Sequence, residues 1–310
     1  MLMVDLERYD WAPEARPLIR STEGTVKERL PPRVEIRRGA PLELPHILLL
    51  IDDEDDRLIP SLGETARKSR PLYETALMMN SGAVTGWALD TEESWTALAE
   101  GLEALARKAG GRYGAMRPGE DPFLFAMGDG NHSLATAKAV WEGYKSAHAG
   151  EAGLENHPAR WALVEVENLY DPGVCFEPIH RVVFGVEPPE LLEALASLTS
   201  VRCTPESPEG RVIRVESLSP EIVTAGLQPL LDDFIGRRKG SSIDYIHGEE
   251  EVFRLTQDSA RRAVGLILPP VRKDGLFKTV ARSGPLPRKS FSMGDAWEKR
   301  FYLECRRLFH

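Results

Sequence analysis

Cysteine is nearly absent, with only Cys175, Cys203 and Cys305 in 310 residues. An odd, widely spaced set excludes a disulfide framework and a cysteine-based metal site, and predicts reduced thiols in a cytoplasmic protein. Long apolar runs are missing too. The richest, LPHILLLID, is far shorter than the roughly 18 residues of a membrane-spanning helix, so no membrane association is expected. The first residues, MLMVDLERYDWAP, carry acids where a secretory leader would be basic. Excess positive charge is also lacking. With a net charge of -9 and no basic stripe interleaved with aromatics, the chain offers no field for nucleic acid, and a nuclease is disfavoured. There is no Walker GxxxxGK[ST], no GxGxxG after a strand, no HExxH and no GxSxG. No two of the seven histidines stand four residues apart, which disfavours a zinc hydrolase.

What remains is a composition of 42% hydrophobic and 28% charged residues, that of a globular chain long enough for one large or two moderate domains. The most informative stretch is FLFAMGDGNHSLATAKAVWEGY, from Phe123 to Tyr144. Phe123 to Met127 reads as a buried strand, and Gly128-Asp129-Gly130-Asn131 as a tight turn. From Ser133 the periodicity is helical, with Leu134, Ala137, Trp141 and Tyr144 on one face and His132, Thr136 and Lys138 away from it. Such a junction points unpaired N–H groups outward, where Asp129 or Asn131 caps them or an anion takes their place.

Upstream, Arg20, Arg29, Arg33, Arg37 and Arg38 surround Glu23 in LIRSTEGTVKERLPPRVEIRR. Either this is a solvated element, with Ser21 or Thr22 capping a short helix that Pro31-Pro32 ends, or it is an anion-binding cluster with Glu23 as base or metal contact. MLMVDL resembles an inner strand of a sheet. LPHILLLI is a buried strand leading into the acids Asp52 to Asp56, which read as a solvated turn rather than a metal loop. YETALMMNSGAVTGWALD suggests a hairpin turning at Ser81-Gly82. TEESWTALAEGLEALARKAG is a helix begun by Thr91 and ended by Gly110-Gly111. Beyond Glu187, helices and strands alternate as in an α/β layer, and Arg288-Lys289-Ser290 sits in a loop before an expected final helix. The expected division is 1–186 and 187–310, with the last loop returning to the site.

The blocks IRSTEGT, LPHILLLID, GDGNHSLATA, EPIHRVV and PLPRKS occur in the order found in the uncharacterised prokaryotic family called domain of unknown function 1015, which the chain resembles over most of its length. Usual members read DGHHRYETA in the central block. Here Asn131 and Ser133 stand where His and Arg are common, removing one cation. Glu23 and Thr25 match the acid and hydroxyl of an HExT block, His180-Arg181 a PTHR block, and Lys289-Ser290 a KST block. Usual members also carry a further N-terminal portion ahead of MLMVDLERYD, so a site completed by another chain, as in a homo-oligomer, is compatible with the resemblance.

The central block is in turn similar to motifs of the ParB and sulfiredoxin superfamily, which includes free-serine kinases. That resemblance implies an α/β protein with a mixed sheet, a ParB-like nucleotide-site half and a second α/β half. It implies a nucleotide (ATP, ADP or CTP) with Mg²⁺ as cofactor, and phosphoryl transfer to a small hydroxylated metabolite such as an amino acid. Glu23, Asp129 and His132 would then be catalytic, with Asp129 on the metal, and Gly130, Asn131, Ser133, His180, Arg181, Lys289 and Ser290 would hold the cofactor. The alternative is a non-catalytic module that senses a nucleotide or other anion alongside a partner protein.

Overall fold

The structure is a computed structural model that describes residues 1–12, 14–44, 46–113, 120–199, 201–207, 209–217, 220–294 and 301–309, side chains of 220–225 and 259 excepted. It divides into two compact units, Met1–Val174 with Asp295–His310, and Cys175–Gly294. The boundary expected at 186/187 therefore lies earlier, and the C-terminal segment belongs with the first unit. The reason is pairing: the strand holding Phe176 to Phe184 finds all its strand partners in the second unit.

In the first unit the elements are β1 (Leu2–Asp5), β2 (Ile19–Ser21), α1 (Leu30–Arg37), β3 (Leu42–Glu43), β4 (Leu48–Ile51), α2 (Leu58–Ala66), β5 (Tyr73–Ala76), β6 (Ala83–Gly86), α3 (Glu92–Arg112), β7 (Phe125–Asp129), α4 (Asn131–Ala147) and β8 (Trp161–Asn168). Its main sheet has the order β1-β8-β4-β7-β2. β8 runs parallel to β4 and β7 parallel to β2, whereas β4 and β7 are antiparallel. The two-residue period of the strands puts Ile19, Leu49, Ile51, Phe125, Met127, Ala162 and Val164 into one core. The same core takes Leu58 and Leu62 of α2, Leu98 and Leu105 of α3, and Leu134, Ala137 and Trp141 of α4. The apolar face expected for α4 is thus buried, but Thr136, expected off that face, is buried as well and donates its hydroxyl to the His132 carbonyl.

Several expectations change in three dimensions. β1 lies at the end of the sheet order rather than inside it. Pro31-Pro32 opens α1 instead of closing a helix, because the first turn needs no proline N–H. Thr91 does start α3, through a capping box with Ser94, but Gly110-Gly111 is helical and the element runs on to Arg112. The hairpin of β5 and β6 forms, with Met79 and Asn80 taking positive φ in a turn longer than Ser81-Gly82 alone. The acidic stretch after β4 is a structural turn: Asp53 accepts from the amides of Arg57 and Leu58, both at 2.8 Å, at the start of α2. Asp52 pairs with Arg112 and Asp55 with Lys108.

The second unit contains β9 (Phe176–Phe184), α5 (Pro188–Leu195), β10 (Arg202–Pro205), β11 (Val212–Glu216), α6 (Pro220–Gly236), β12 (Ser242–His247), α7 (Glu249–Thr256), β13 (Ala263–Ile267), α8 (Lys273–Ser283) and β14 (Phe291–Met293). Its strand order is β10-β11-β13-β9-β12, with β14 also on β9. Leu191, Leu195, Leu227, Leu231 and Phe234 of α5 and α6 cover one face, and Val252 of α7 covers the other. β13, covered on both faces, is accordingly buried at every residue. The expected alternation holds, with β10, α8 and β14 added. The expected final helix does not form over 301–309, where β15 (Arg306–Arg307) pairs with β3; its remainder, 295–300, lies outside the described residues. Among the described residues no helix is long and apolar enough to cross a membrane, and Cys203 and Cys305 are free thiols.

Candidate functional site

The β7–α4 junction is built around one residue. Gly130 has φ +91, and a Cβ there would stand 2.3 Å from the His46 carbonyl oxygen and 2.8 Å from Ile47 Cα. Only glycine satisfies both the left-handed backbone and the close approach of the β4 entry strand. Just before it, the register between β4 and β7 shifts: Leu49 faces Met127, but Leu48 faces Asp129. The shift is a bulge that re-aims the end of β7.

α4 then begins without the expected side-chain cap. Gly130 occupies the cap position and supplies no side-chain cap hydrogen bond, while Asp129 Oδ1 accepts from the Gly130 amide at 2.7 Å. The first intrahelical bond reaches back from Leu134 N to Gly130 O. The amides of Asn131, His132 and Ser133 therefore precede the helix ladder and point along its positive end.

Parallel pairing of β2 with β7 brings the Glu23 loop to this junction. Thr22 Oγ1 donates to Met127 O, and Val26 N donates to His132 Nε2 at 3.1 Å across a sequence separation of 106. Glu23, Gly24 and Thr25 lie between these two ties. Two buried polar atoms here, Thr25 Oγ1 and Asn131 Oδ1, have no hydrogen-bond partner among the described residues. Burial, then the charges of Arg33 and Arg29, hold the His132 pKa below the usual imidazole value, so the ring is neutral at pH 7.

The arginine cluster expected around Glu23 is thereby sorted. Arg29 and Arg33 act on the α4 start, whereas Arg20 is buried against the carbonyls of Pro17 and Asp121 and the Phe123 ring. Arg37 is committed to Glu43. The signals missed in the sequence were Thr22 and Val26, whose roles depend on β2 lying beside β7. Glu167 was missed as well. This half-buried carboxyl on β8 is pushed up to about 7 by burial, then by Glu165 and Asp171, and nothing in an alternating strand pattern marks it.

The other expected blocks meet within the second unit. Arg181, fully buried, donates through Nε to Gln228 Oε1 at 2.9 Å, through Nη1 to Ile179 O and through Nη2 to Lys289 O at 2.9 Å. Its guanidinium lies over the Tyr245 ring. Ser290, also buried, donates to Pro287 O at 2.6 Å. Arg181 and Lys289, which the resemblance places in one cofactor site, are brought together here by an internal tie between β9 and the loop before β14.

His180 is buried with Nδ1 accepting from Leu268 N at 3.1 Å, and burial, as the largest cause, lowers its pKa from 6.5 to about 4. Because the folded value is depressed, the unfolded chain binds the extra proton first. Stability is therefore full above about pH 6.5 and is lost as the pH falls towards 4, by roughly 3 kcal/mol in all. Urea melts between pH 7 and 4 should show this loss, and His180→Gln, which cannot titrate, should flatten the slope. An unchanged slope in that variant would refute the assignment.

Asp129 is not part of any protein-built metal cluster: among the described residues no three His, Cys, Asp or Glu side chains converge as a metal site. A Mg²⁺ held by one carboxylate and phosphate oxygens needs no such cluster.

Comparison with solved structures finds several chains of low similarity to this one. A free serine kinase in complex with AMP is 11% identical, with a TM-score of 0.42, over 99% of this chain and 88% of that one. A conserved hypothetical protein from Pyrococcus furiosus is 11% identical, with a TM-score of 0.43, over 99% and 94%. A mutant free serine kinase in complex with ADP is 12% identical, with a TM-score of 0.41, over 99% and 88%. No curated protein matches the chain. The family described as Protein of unknown function (DUF1015) matches residues 1–273, and the chain belongs to it.

Proposed function

We propose that the protein binds a nucleotide by its phosphates at the β7–α4 junction and transfers a phosphoryl group to a small hydroxylated metabolite such as an amino acid. One observation carries this reading. The β2–β7 pairing sets a carboxylate loop, Glu23 to Thr25, beside a helix start that has no side-chain cap and is under the charge of Arg29 and Arg33.

In this reading the amides of Asn131 to Ser133 and the Ser133 hydroxyl bind phosphate oxygens, assisted by the helix dipole. Gly130 lets the backbone approach. Asp129 would hold Mg²⁺ together with phosphate oxygens, and the ion would neutralise charge on the transferred group. Glu23 takes the proton of the acceptor hydroxyl while its oxygen bonds to the terminal phosphorus and the bond to the nucleotide's bridging oxygen breaks. Arg29 and Arg33 supply positive charge to the transferred group.

A second reading is a nucleotide sensor without turnover. It is favoured by the internal use of Arg181, which is spent on Gln228, Ile179 and Lys289, and by Ser133 where the family resemblance leads one to expect a cation.

Calorimetry with ATP, ADP and CTP, each with Mg²⁺, is expected to give binding by at least one of them below millimolar concentration, and Gly130→Ala should lose it. Absence of heat with all three at millimolar nucleotide would sink both readings.

A further inference from the structure

We propose that His132 is a positioning residue, whose Nε2 clips the Val26 amide and thereby fixes the Glu23 loop over the start of α4. The proposal rests on the nucleotide-site reading for its functional consequence, but the clip itself is a separate structural claim.

The geometry brackets the loop from both sides of the junction. Thr22 is tied to the carbonyl of Met127, before the Gly128–Gly130 turn. Val26 is tied to His132, after it. Glu23, Gly24 and Thr25 must therefore span the turn, and Glu23 cannot drift along the sheet while both ties hold.

Of the two ties, the histidine one is chemically specific. A backbone N–H can donate only to an unprotonated ring nitrogen, so Nε2 carries the lone pair and the ring proton sits on Nδ1. The depressed pKa agrees with this, since a protonated ring would turn a donor towards Val26 N. Nε2 is then occupied and unavailable for taking a substrate proton, which leaves that step to Glu23. The ring is itself carried on a stiff support: His132 is the second residue of α4, and its carbonyl accepts from Thr136 Oγ1 at 2.6 Å.

The donor side can be removed without disturbing the histidine. Val26 has φ -84 and ψ 108, close to the φ a proline ring imposes, so Val26→Pro deletes the N–H with little change in φ. On the acceptor side, His132→Gln retains an acceptor oxygen at similar reach, and His132→Ala retains none.

The test combines amide hydrogen exchange with kinetics on the full chain. In the wild type and in His132→Gln the Val26 amide should be protected; in His132→Ala it should exchange at least about tenfold faster, the loss of one hydrogen bond. With ATP and Mg²⁺ as the probe, Val26→Pro should keep the dissociation constant within about twofold but lower turnover by roughly ten- to a hundredfold, because a misplaced base costs rate rather than binding. The double variant Val26→Pro with His132→Ala should lose no more turnover than the worse single variant. A Val26 amide that exchanges freely in the wild type, or additive losses in the double variant, would overturn the clip. Failure of the nucleotide reading looks different: no heat with ATP in the wild type, with Val26 still protected.

Discussion

Gly130→Ala is expected to destabilise the protein by roughly 2–5 kcal/mol, combining the cost of a left-handed alanine with that of overpacking. The first part follows from φ +91. The second follows because the added methyl would meet backbone, the His46 carbonyl and Ile47 Cα, rather than a side chain that can swing away. Relief requires either β4 to move from β7 or the β7–α4 turn to open, and both break the sheet register beside Asp129. Gly24 is the control in the same site. Nothing lies within 4 Å of a Cβ built there, so Gly24→Ala should change stability by no more than about 1 kcal/mol. Urea or thermal melts of the two variants measure the contrast, and equal midpoints would contradict the account of the junction.

Glu23→Gln should lower turnover by about 10²–10⁴-fold, the usual worth of a positioned general base, with nucleotide affinity unchanged. Glutamine keeps the size of the side chain and removes only its ability to take a proton, so the ties at Thr22 and Val26 should hold. Release of ADP from ATP in the presence of a hydroxylated amino acid is the readout, paired with calorimetry. Turnover equal to wild type would remove Glu23 from the mechanism. A wild type that binds nucleotide and shows no ADP release under any acceptor would leave the sensor reading standing instead.

Local chemistry made much of this molecule legible. The strand, glycine turn and helix at Phe123 to Tyr144 could be read because each part has its own short-range signature: apolar run, positive-φ residue, and a 3.6-residue period. Thr91 announced α3 through a capping interaction that spans only three residues. The same locality explains the errors. Prolines both open and close helices, and Pro31-Pro32 opens one. Glycines often end helices, but Gly110-Gly111 lies within α3, just after the buried Leu105 and Ala109. Arg181 looks like a phosphate ligand in one dimension, because a guanidinium that meets solvent and one that meets the Lys289 carbonyl have identical sequences.

By itself, then, the sequence determined the family, the mixed α/β class and the position of the glycine-bracketed turn, since these depend on residue order and on conformations of neighbouring residues. Tertiary structure alone decided that β2 lies parallel to β7, that Val26 is tied to His132 at the start of α4, that β9 belongs to the second unit, and which arginines are spent internally. Each of these is a pairing between residues far apart along the chain. Its free energy comes from buried surface and from hydrogen bonds that exist only once both partners are in place, so no local pattern carries it.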